Sequence, residues 1–245
     1  MKRFPFRFWL MLSLIVLPLT RAADANLEAA RPIPTEHFLP ADGIDWKTIL
    51  PPPPAPGSVP ALADLETVLQ VQATRTAADI AWAKLTEKDD VYADYRDVVG
   101  PWFEAKQLPV LADFIRQVTD DVRVVSGKVK DLYPRPRPFK LEPTVHPVVN
   151  LPTSNSYPSG HSMRAYVWAA VLGDIFTDQQ PALYTQAHRI AWARVIGGAH
   201  FPSDTIGGRL TAQVIVAELR KSPAYRAAIE RCKAEVAPFL LKKAA

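Results

Sequence analysis

The stretch Tyr157-Pro158-Ser159-Gly160-His161 divides an irregular, Pro-rich part of the chain from a segment of helical character, Ser162–Leu172. Ser159 is a residue type that caps helix N-termini, so the stretch predicts a turn that delivers His161 to the start of a helix. Backbone N–H groups at a helix start have no partner within the helix and attract anions, especially phosphate. Gly160 adds no side chain that would keep a ligand away from this backbone. An ordinary helix cap with a surface histidine is the alternative for these residues taken alone.

Two further stretches carry cationic and imidazole side chains at fixed spacing. Residues 130–138 read Lys-Asp-Leu-Tyr-Pro-Arg-Pro-Arg-Pro, and residues 193–204 read Ala-Arg-Val-Ile-Gly-Gly-Ala-His-Phe-Pro-Ser-Asp. In chain order, the pattern is Lys-x6-Arg-Pro (motif 1), Pro-Ser-Gly-His (motif 2) and Arg-x5-His-x3-Asp (motif 3). This ordered set resembles the three-part signature of the phosphatidic acid phosphatase type 2 superfamily, which contains acid phosphatases, lipid phosphatases and vanadium haloperoxidases.

A second resemblance narrows the family. Leu50-Pro51-Pro52-Pro53-Pro54-Ala55, ahead of a helical segment, is similar to the start of the mature core in class A bacterial non-specific acid phosphatases. From there to about Ala237 the layout of the chain is similar to that family. The resemblance implies an all-α, single-domain helical bundle of the acid phosphatase and vanadium haloperoxidase type.

The side chains of the motifs suit a phosphate monoester, which needs its negative charge met, a nucleophile in line and a proton for the leaving oxygen. Lys130, Arg137 and Arg194 supply positive charge where many enzymes use metals, since Arg binds phosphate oxygens with two N–H groups and Lys adds a point charge. Ser159 and the N–H group of Gly160 complete the predicted phosphate-binding set. The sequence has no carboxylate cluster of metal-site type near the motifs, so neither a metal nor another cofactor is expected.

Two histidines and one carboxylate are the candidate catalytic residues. His200 is the candidate nucleophile, which would attack phosphorus and form a phosphohistidine. Asp204 follows four residues later, so across the first turn of a helix its carboxylate would fix the His200 tautomer and leave the other nitrogen free. His161 is the candidate general acid for the leaving oxygen, and in the second step it would activate water. The family resemblance implies the same roles at these positions.

Several other residues are expected to have no part in the site. Arg135 lies off the motif spacing and is interpreted as a solvated surface charge. His37, His146 and His188 match no part of the signature and are interpreted as core or surface residues. One position departs from the family pattern, because Ala193 precedes the motif 3 arginine where the family usually has Ser. This departure predicts that one hydrogen bond near the phosphate or to the scaffold is missing.

The N-terminus is typical of a targeting signal. Lys2, Arg3 and Arg7 accompany an apolar run over residues 8–19, which is short for a membrane span. We predict a signal peptide over residues 1–25, with an uncleaved anchor as the alternative. Its removal lowers the formal net charge from +4 to +1, because four basic residues and one acidic residue are lost. No basic tract then remains that would indicate a nucleic-acid partner.

The rest of the chain is predicted to have two parts. Residues 26–60 form an irregular, Pro-rich N-terminal arm, and residues 61–245 form the all-α catalytic domain. No alternating strand pattern of any length occurs. Apolar periodicity and breaker residues predict helices over residues 61–88, 89–98, 108–129, 162–176, 181–195, 203–219 and 223–236.

Two smaller features complete the sequence-based description. Cys232 is the only cysteine, so no intrachain disulfide can form. Gly207-Gly208 lies within a predicted helix and is expected to allow close helix packing rather than ligand binding.

Four functions are compatible with parts of the sequence. A secreted or periplasmic, metal-independent acid phosphatase of broad substrate range fits all three motifs. A lipid phosphatase would need several spans of about 20 apolar residues, which the sequence after residue 25 lacks. A vanadium-dependent haloperoxidase would hold vanadate where phosphate lies, although the chain is short for that family and the Pro-rich opening favours a phosphatase. A non-catalytic phosphate-binding protein would not need His161, His200 and Asp204 together.

The expected partners follow from the first of these functions. They are small-molecule phosphate monoesters, with no nucleic acid and no stable membrane association after signal cleavage. The resemblance also implies a homodimer.

Overall fold

The computed structural model describes residues 37–39 and 43–244, with side chains described as far as Leu241. These residues lie within one compact unit, Pro34–Ala245. The predicted signal peptide, residues 1–25, lies outside the described residues, as do residues 26–36 of the predicted arm.

Helices make up the regular structure of this unit, and the described residues contain no β-strand, which confirms the predicted all-α class. Short 3-10 turns precede the fifth and eighth helices. The helices are α1 (Trp46–Ile49), α2 (Val59–Thr74), α3 (Ala77–Leu85), α4 (Val91–Val99), α5 (Pro109–Leu132), α6 (Pro138–Leu141), α7 (Gly160–Ile175), α8 (Gln180–Ile196), α9 (Pro202–Lys221) and α10 (Pro223–Ala244).

Helix α7 is the centre of the fold. Every residue from Ser162 to Leu172 is buried, so the helix has no solvent-exposed face along this length. A helix that is apolar all round has to be enclosed by other elements, and α7 packs against α5, α8, α9 and α10. Motif 2 therefore leads directly into the most enclosed helix of the structure.

Helices α7 and α9 approach each other at two glycines. A Cβ added at Gly207 would lie 2.5 Å from the ring of Tyr157, and one at Gly208 would lie 2.5 Å from the backbone oxygen of Ser159. The backbone N–H of Ser159 donates to the carbonyl of Asp204 at 2.9 Å. The prediction that the glycine pair serves helix packing is confirmed, and the packing joins motif 2 to motif 3.

The predicted continuous helix over residues 61–88 is wrong, because α2 ends at Thr74 and α3 begins at Ala77. The Thr76 side chain accepts from the N–H of Asp79, and the Asp79 carboxylate accepts from the N–H of Thr76, which forms a capping box. The intervening Arg75 donates to the carbonyls of Ile196 and His146 at 2.9 and 2.8 Å. The break therefore anchors this region to the end of α8.

The Pro-rich segment after α1 has no regular secondary structure over residues 51–55, and it lies against the motif loops. The Tyr133 hydroxyl donates to the carbonyl of Leu50, and the Tyr157 hydroxyl donates to the carbonyl of Pro51, both at 2.6 Å. Proline cannot use its nitrogen as a donor, but its carbonyl remains available. The segment thus ties together the loops that carry motifs 1 and 2.

We expect Gly208→Ala to lower the melting temperature, although alanine is the better helix former. The new Cβ would lie 2.5 Å from the Ser159 oxygen and 2.8 Å from the Ser162 Cβ, and overpacking of this kind costs about 1–3 kcal/mol. Gly127→Ala in α5 is the matched control, because its Cβ would meet no atom within 4 Å. It should be neutral or stabilise by up to about 1 kcal/mol. Thermal unfolding followed by circular dichroism separates the two, and equal destabilisation would contradict the packing role.

Candidate active site

His200 lies in the turn between α8 and α9 and is 2% exposed. Gly198 in this turn has a φ of 70°, a left-handed conformation that favours glycine. The turn lets the N–H groups of Ala199 and His200 donate to the carbonyl of Arg194, at 3.1 and 3.3 Å. It therefore brings the motif 3 arginine and histidine side by side.

The two ring nitrogens of His200 face different partners. Nη1 of Arg137 lies 3.1 Å from Nε2, and a guanidinium can only donate, so Nε2 accepts and the proton is on Nδ1. Nδ1 faces Oδ2 of Asp204 at 3.4 Å and Oγ of Ser156 at 3.5 Å. Burial lowers the pKa of His200 well below its ordinary value, and Arg137, Lys130 and Arg194 lower it further. His200 is therefore a neutral imidazole whose Nε2 lone pair faces the cationic side of the site.

The Asp204 carboxylate is fixed by contacts to both of its oxygens. Oδ2 accepts from Oγ of Ser156 at 2.5 Å and from the N–H of Phe201 at 2.9 Å. Oδ1 accepts from Nη1 of Arg135 at 2.6 Å. Asp204 is fully buried in the first turn of α9, as its spacing from His200 requires.

The two cations of motif 1 are held by backbone carbonyls. Nζ of Lys130 donates to the carbonyls of Asn155 and Pro158 at 2.6 and 2.9 Å. Burial, followed by the charge of Arg137, lowers the pKa of Lys130 to about 7, although Asp204 acts in the opposite direction. Arg137 donates to the carbonyls of Ser154 and Ala199 at 2.8 and 2.9 Å. Carbonyls orient these cations without cancelling their charge.

Arg194 on α8 is 1% exposed, yet its Nε and Nη1 have no hydrogen-bond partner among the described residues. Burial lowers the pKa of Arg194 to about 10, and the largest opposing influence is the negative charge of Glu87. A buried guanidinium with unpaired N–H groups is unfavourable unless an acceptor meets it. These N–H groups suit the oxygens of an anion such as phosphate.

His161 lies in the first turn of α7, and its Nε2 is 3.0 Å from the backbone carbonyl of Glu87. A carbonyl can only accept, so Nε2 carries a proton and Nδ1 is the nitrogen left to take up or release one. Burial lowers the pKa of His161 well below its ordinary value, and the charges of Arg194 and Arg164 lower it further. Glu87 lies in the connection between α3 and α4, which therefore forms one wall of the site.

Ser159 is the N-cap of α7, as predicted, and its Oγ accepts from the N–H of Ser162 at 3.3 Å. A hydroxyl that accepts one hydrogen bond can still donate its own proton to another oxygen. A Cβ at Gly160 would lie 3.0 Å from Oγ of Ser126 and 3.9 Å from Cε of Lys130. The glycine at this position therefore lets α5 and its lysine approach the start of α7.

The structure thus brings all the predicted site residues together through direct contacts or charge interactions. Three residues of the site were missed by sequence reasoning. Ser156 stands two residues before the proline of motif 2, so its position is a usable signal. Glu87 and Asp64 lie far from the motifs along the chain, and nothing in the sequence around them indicates that they belong to the site.

The interpretation of Arg135 as a surface charge is wrong. Its side chain is 10% exposed and pairs with Asp64 and Asp204. Its exposure was misjudged because a Pro-rich loop has no periodicity that would indicate which side chains point inwards.

The other residues that the sequence analysis excluded from the site have no hydrogen bond or ion pair with the catalytic candidates among the described residues. His188 accepts or donates at Nδ1 to the Tyr166 hydroxyl at 2.6 Å, and His146 is exposed. His37 is partly exposed and lies 3.7 Å from the carboxylate of Asp120. Ala193 is buried in a small apolar cluster with Ala83, Val149, Ile196 and Ala199.

The part of the chain that the structure describes lacks a metal-binding cluster and a membrane-spanning helix. No group of three or more His, Cys, Asp or Glu side chains in residues 37–39 and 43–244 is placed to hold a metal ion. No helix in the same part of the chain combines the length and the apolar character needed to cross a membrane.

The chain is similar to several known proteins. The PAP2 superfamily profile matches residues 118–227. An acid phosphatase of Zymomonas mobilis is 27% identical over 233 residues, which cover 89% of this chain and 84% of that protein. A non-specific acid phosphatase of Salmonella typhimurium is 26% identical over 230 residues, which cover 90% of each. A crystal structure of a transmembrane PAP2-type phosphatidylglycerolphosphate phosphatase from Bacillus subtilis aligns with a TM-score of 0.45 and 20% identity, covering 66% of this chain and 84% of that chain.

The fold is all-α, and its candidate site brings three cations close to two histidines. The PAP2 superfamily profile and the relatives named acid phosphatase together support assigning this chain to the phosphatases of that superfamily.

We expect the affinity for sulfate to fall as pH rises, because sulfate keeps its charge while Lys130 loses a proton with a pKa of about 7. Above that pKa the dissociation constant should rise by about tenfold per pH unit, until the pH reaches the higher pKa that Lys130 has beside bound sulfate. Lys130→Met should bind sulfate more weakly and with little pH dependence between pH 6 and 8. Lys106→Met, at a lysine 80% exposed, is the control and should behave as wild type. Calorimetric titration at several pH values checks this, and an unchanged pH dependence in Lys130→Met would contradict it.

Proposed function

We propose that this chain is a secreted acid phosphatase that hydrolyses a broad range of phosphate monoesters through a phosphohistidine intermediate. The observation that carries the proposal is the opposite polarity of two histidines near Arg194, the buried His200 and the partly buried His161. His200 accepts at Nε2 from a guanidinium, and His161 donates from Nε2 to a carbonyl. One imidazole is therefore prepared to attack, and the other is prepared to transfer a proton from Nδ1.

The phosphate group would occupy the space between the cations of motifs 1 and 3. The unpaired N–H groups of Arg194 would bind two of its oxygens. Lys130 and Arg137 would add positive charge, and the Ser159 hydroxyl and Gly160 N–H would donate from the start of α7. These donors are fixed before the substrate arrives, which is how electrostatic stabilisation of a transition state becomes effective.

In the first step, the Nε2 lone pair of His200 attacks phosphorus. The P–N bond forms as the bond between phosphorus and the ester oxygen breaks, and the leaving oxygen takes the proton from Nδ1 of His161. Asp204 accepts from Nδ1–H of His200 and stabilises the positive charge that develops on that ring.

In the second step, a water molecule attacks the phosphohistidine and gives its proton to Nδ1 of His161. The P–N bond breaks, and its electron pair returns to Nε2 of His200 as inorganic phosphate is released. The two steps leave both histidines as they began, so the cycle needs no other reactant.

The proposed chemistry favours acid pH. His161 can donate only as an imidazolium, and its pKa is lowered, so the proton is lost as pH rises. His200 must be neutral, and its lowered pKa keeps it neutral in moderately acid solution. A bound phosphate offsets the effect of Arg194 on His161, so the substrate itself helps this residue to keep its proton.

The remaining parts of the proposal rest on the sequence. The signal peptide predicted over residues 1–25 supports a periplasmic or secreted location, and the resemblance to class A enzymes supports a homodimer. The charged side chains of the motifs supply the phosphate-binding groups, and we propose no metal or cofactor. A vanadium-dependent haloperoxidase and a non-catalytic phosphate-binding protein remain the competing functions.

We expect hydrolysis of p-nitrophenyl phosphate to continue in excess chelator and to be inhibited by vanadate, which readily takes the five-coordinate shape of the transition state. The measurement is an initial-rate assay on purified protein, with a dialysed sample and added divalent metals as controls. Loss of activity in chelator that a divalent metal restores would refute the mechanism. The haloperoxidase would be favoured if the vanadate-loaded protein oxidises halide with peroxide and the protein without vanadate has no phosphatase activity.

The roles of the two histidines are tested by changing the leaving group. His161→Ala should slow phosphorylation by an alkyl phosphate by about 100- to 10,000-fold, and much less with p-nitrophenyl phosphate, because a nitrophenolate leaves without a proton. His200→Ala should abolish phosphoenzyme formation with both substrates. Rapid quench with labelled substrates measures these steps.

Two outcomes would remove the assigned roles. Equal losses by His161→Ala on both leaving groups would exclude the acid role of His161. A labelled phosphoenzyme that persists in His200→Ala would exclude His200 as the nucleophile. His188→Ala, at a histidine outside the site, is the control and should keep wild-type phosphorylation rates with both substrates.

A further inference from the structure

We propose that Arg135 is a positioning residue for the nucleophile, because it holds the Asp204 carboxylate in the orientation that fixes His200, while Asp64 anchors Arg135. This inference rests on the proposed function and extends it to two residues outside the three motif patterns. Neither residue is in direct contact with His200, so both act through Asp204.

The Arg135 guanidinium joins three elements. Its Nη1 donates to Oδ1 of Asp204 at 2.6 Å and to Oγ of Ser203 at 2.7 Å, and its Nη2 donates to Oδ2 of Asp64 at 2.8 Å. Its plane lies over the ring of Phe201, with 4.1 Å between Cζ and the ring centre. A planar fork with several donors is required for these contacts, so lysine cannot replace it.

The two oxygens of Asp204 have different partners, and this difference is the basis of the proposed role. Oδ1 is bound by Arg135, whereas Oδ2 faces Nδ1 of His200 and also accepts from Ser156 and the N–H of Phe201. A carboxylate that loses its Oδ1 partner can rotate about the bond to Cβ. Rotation would move Oδ2 away from Nδ1 and release the His200 tautomer.

Asp64 on α2 completes the network from the other side. It is buried, and its two oxygens accept from the N–H of Ser203 at 3.1 Å, from the Ser203 hydroxyl and from Arg135. The ionic order is thus Asp64, Arg135, Asp204 and then the imidazole of His200. Removal of the Arg135 charge should make His200 more basic, and removal of the Asp64 charge should make it less basic.

Other charged groups also face His200, and they remain unchanged in the test. Arg137 and Lys130 approach it from motif 1, and Arg194 approaches it from α8. These three cations are common to all the variants, so differences between variants report the Asp64–Arg135–Asp204 network.

The first measurement is two-bond 1H–15N NMR of the histidine rings in the full chain, which reports tautomer and pKa without requiring activity. The signal of His200 is identified among the five histidines by its loss in His200→Gln. In wild type we expect the neutral tautomer with the proton on Nδ1. In Arg135→Gln we expect a mixture of tautomers and a higher pKa for His200.

The second measurement is the phosphorylation rate by rapid quench with p-nitrophenyl phosphate. Arg135→Gln should slow this step by about 10- to 100-fold, which is the usual effect of removing a residue that orients a functional side chain. The affinity for sulfate should change less than about twofold, because Arg135 is not proposed to contact the anion. Arg135→Lys keeps the charge but not the fork, so it should be slow with a pKa for His200 near that of wild type. Arg220→Gln is the control, because it removes an arginine that donates two hydrogen bonds to the carboxylate of Asp174. It should leave the phosphorylation rate unchanged.

The double variant Asp64→Asn with Arg135→Gln separates charge from geometry. It removes one negative and one positive charge, so the pKa of His200 should return towards wild type while the phosphorylation rate stays low. If Arg135 were only structural, its replacement would lower the stability of the protein, and the pKa of His200 and the phosphorylation rate would not respond differently to the double variant. If Arg135→Gln does not fold, Arg135→Lys and Asp64→Asn decide the question by the same two measurements.

The outcomes distinguish this inference from the proposed function. A wild-type chain that hydrolyses no phosphate monoester would refute the proposed function, and the NMR measurement would still decide whether Arg135 positions His200. An Arg135→Gln chain with wild-type tautomer, pKa and phosphorylation rate would overturn the positioning role.

Discussion

Mutual repulsion among Lys130, Arg137 and Arg194 is the constraint on which the rest of the structure depends. Three cations in a buried or partly buried pocket repel one another and lose hydration, so they need partners that orient them without neutralising them. Backbone carbonyls from the motif 2 loop and the α8–α9 turn meet this need for the two motif 1 cations. Carboxylates in the same positions would bind the cations more strongly and would leave less positive charge for a phosphate group.

The loop before α7 is irregular because of its prolines. Because it is irregular, its backbone carbonyls can accept hydrogen bonds from Lys130 and Arg137. In a helix each carbonyl would accept from an N–H four residues later, and none would face a lysine. The prolines of motifs 1 and 2 remove donors and forbid that pattern. The Leu50 and Pro51 carbonyls, which hold Tyr133 and Tyr157, then fix the loop from outside. Helix α7, and the close approach of Gly207 and Gly208 to Tyr157 and Ser159, hold the other end of the loop.

Sequence reasoning selected a set of candidate site residues that the structure brings together, but it missed most of the residues that hold them in place. His161, His200, Asp204 and the three cations lie in short patterns whose spacing has chemical meaning, and the structure places them together. Arg135 was misjudged because a proline-rich loop has no periodicity from which burial can be inferred. The Glu87 carbonyl and the Asp64 carboxylate meet the site only through tertiary packing of α2, α3 and α4. The helices were predicted well where apolar periodicity was long, and the break at Arg75 was missed although the capping pair Thr76 and Asp79 signals it.

The different polarity of the two histidines follows from the chemistry of their partners. A guanidinium has no acceptor, so Arg137 forces Nε2 of His200 to be the lone-pair nitrogen. A carbonyl has no donor, so Glu87 forces Nε2 of His161 to be the protonated nitrogen. Because Asp204 faces His200 at Nδ1, its negative charge lies on the side of the ring away from Arg137, outside the proposed phosphate site. One donor-only partner, one acceptor-only partner and one carboxylate on the far side of the ring thus give two identical side chains the opposite polarity that the proposed nucleophile and acid require.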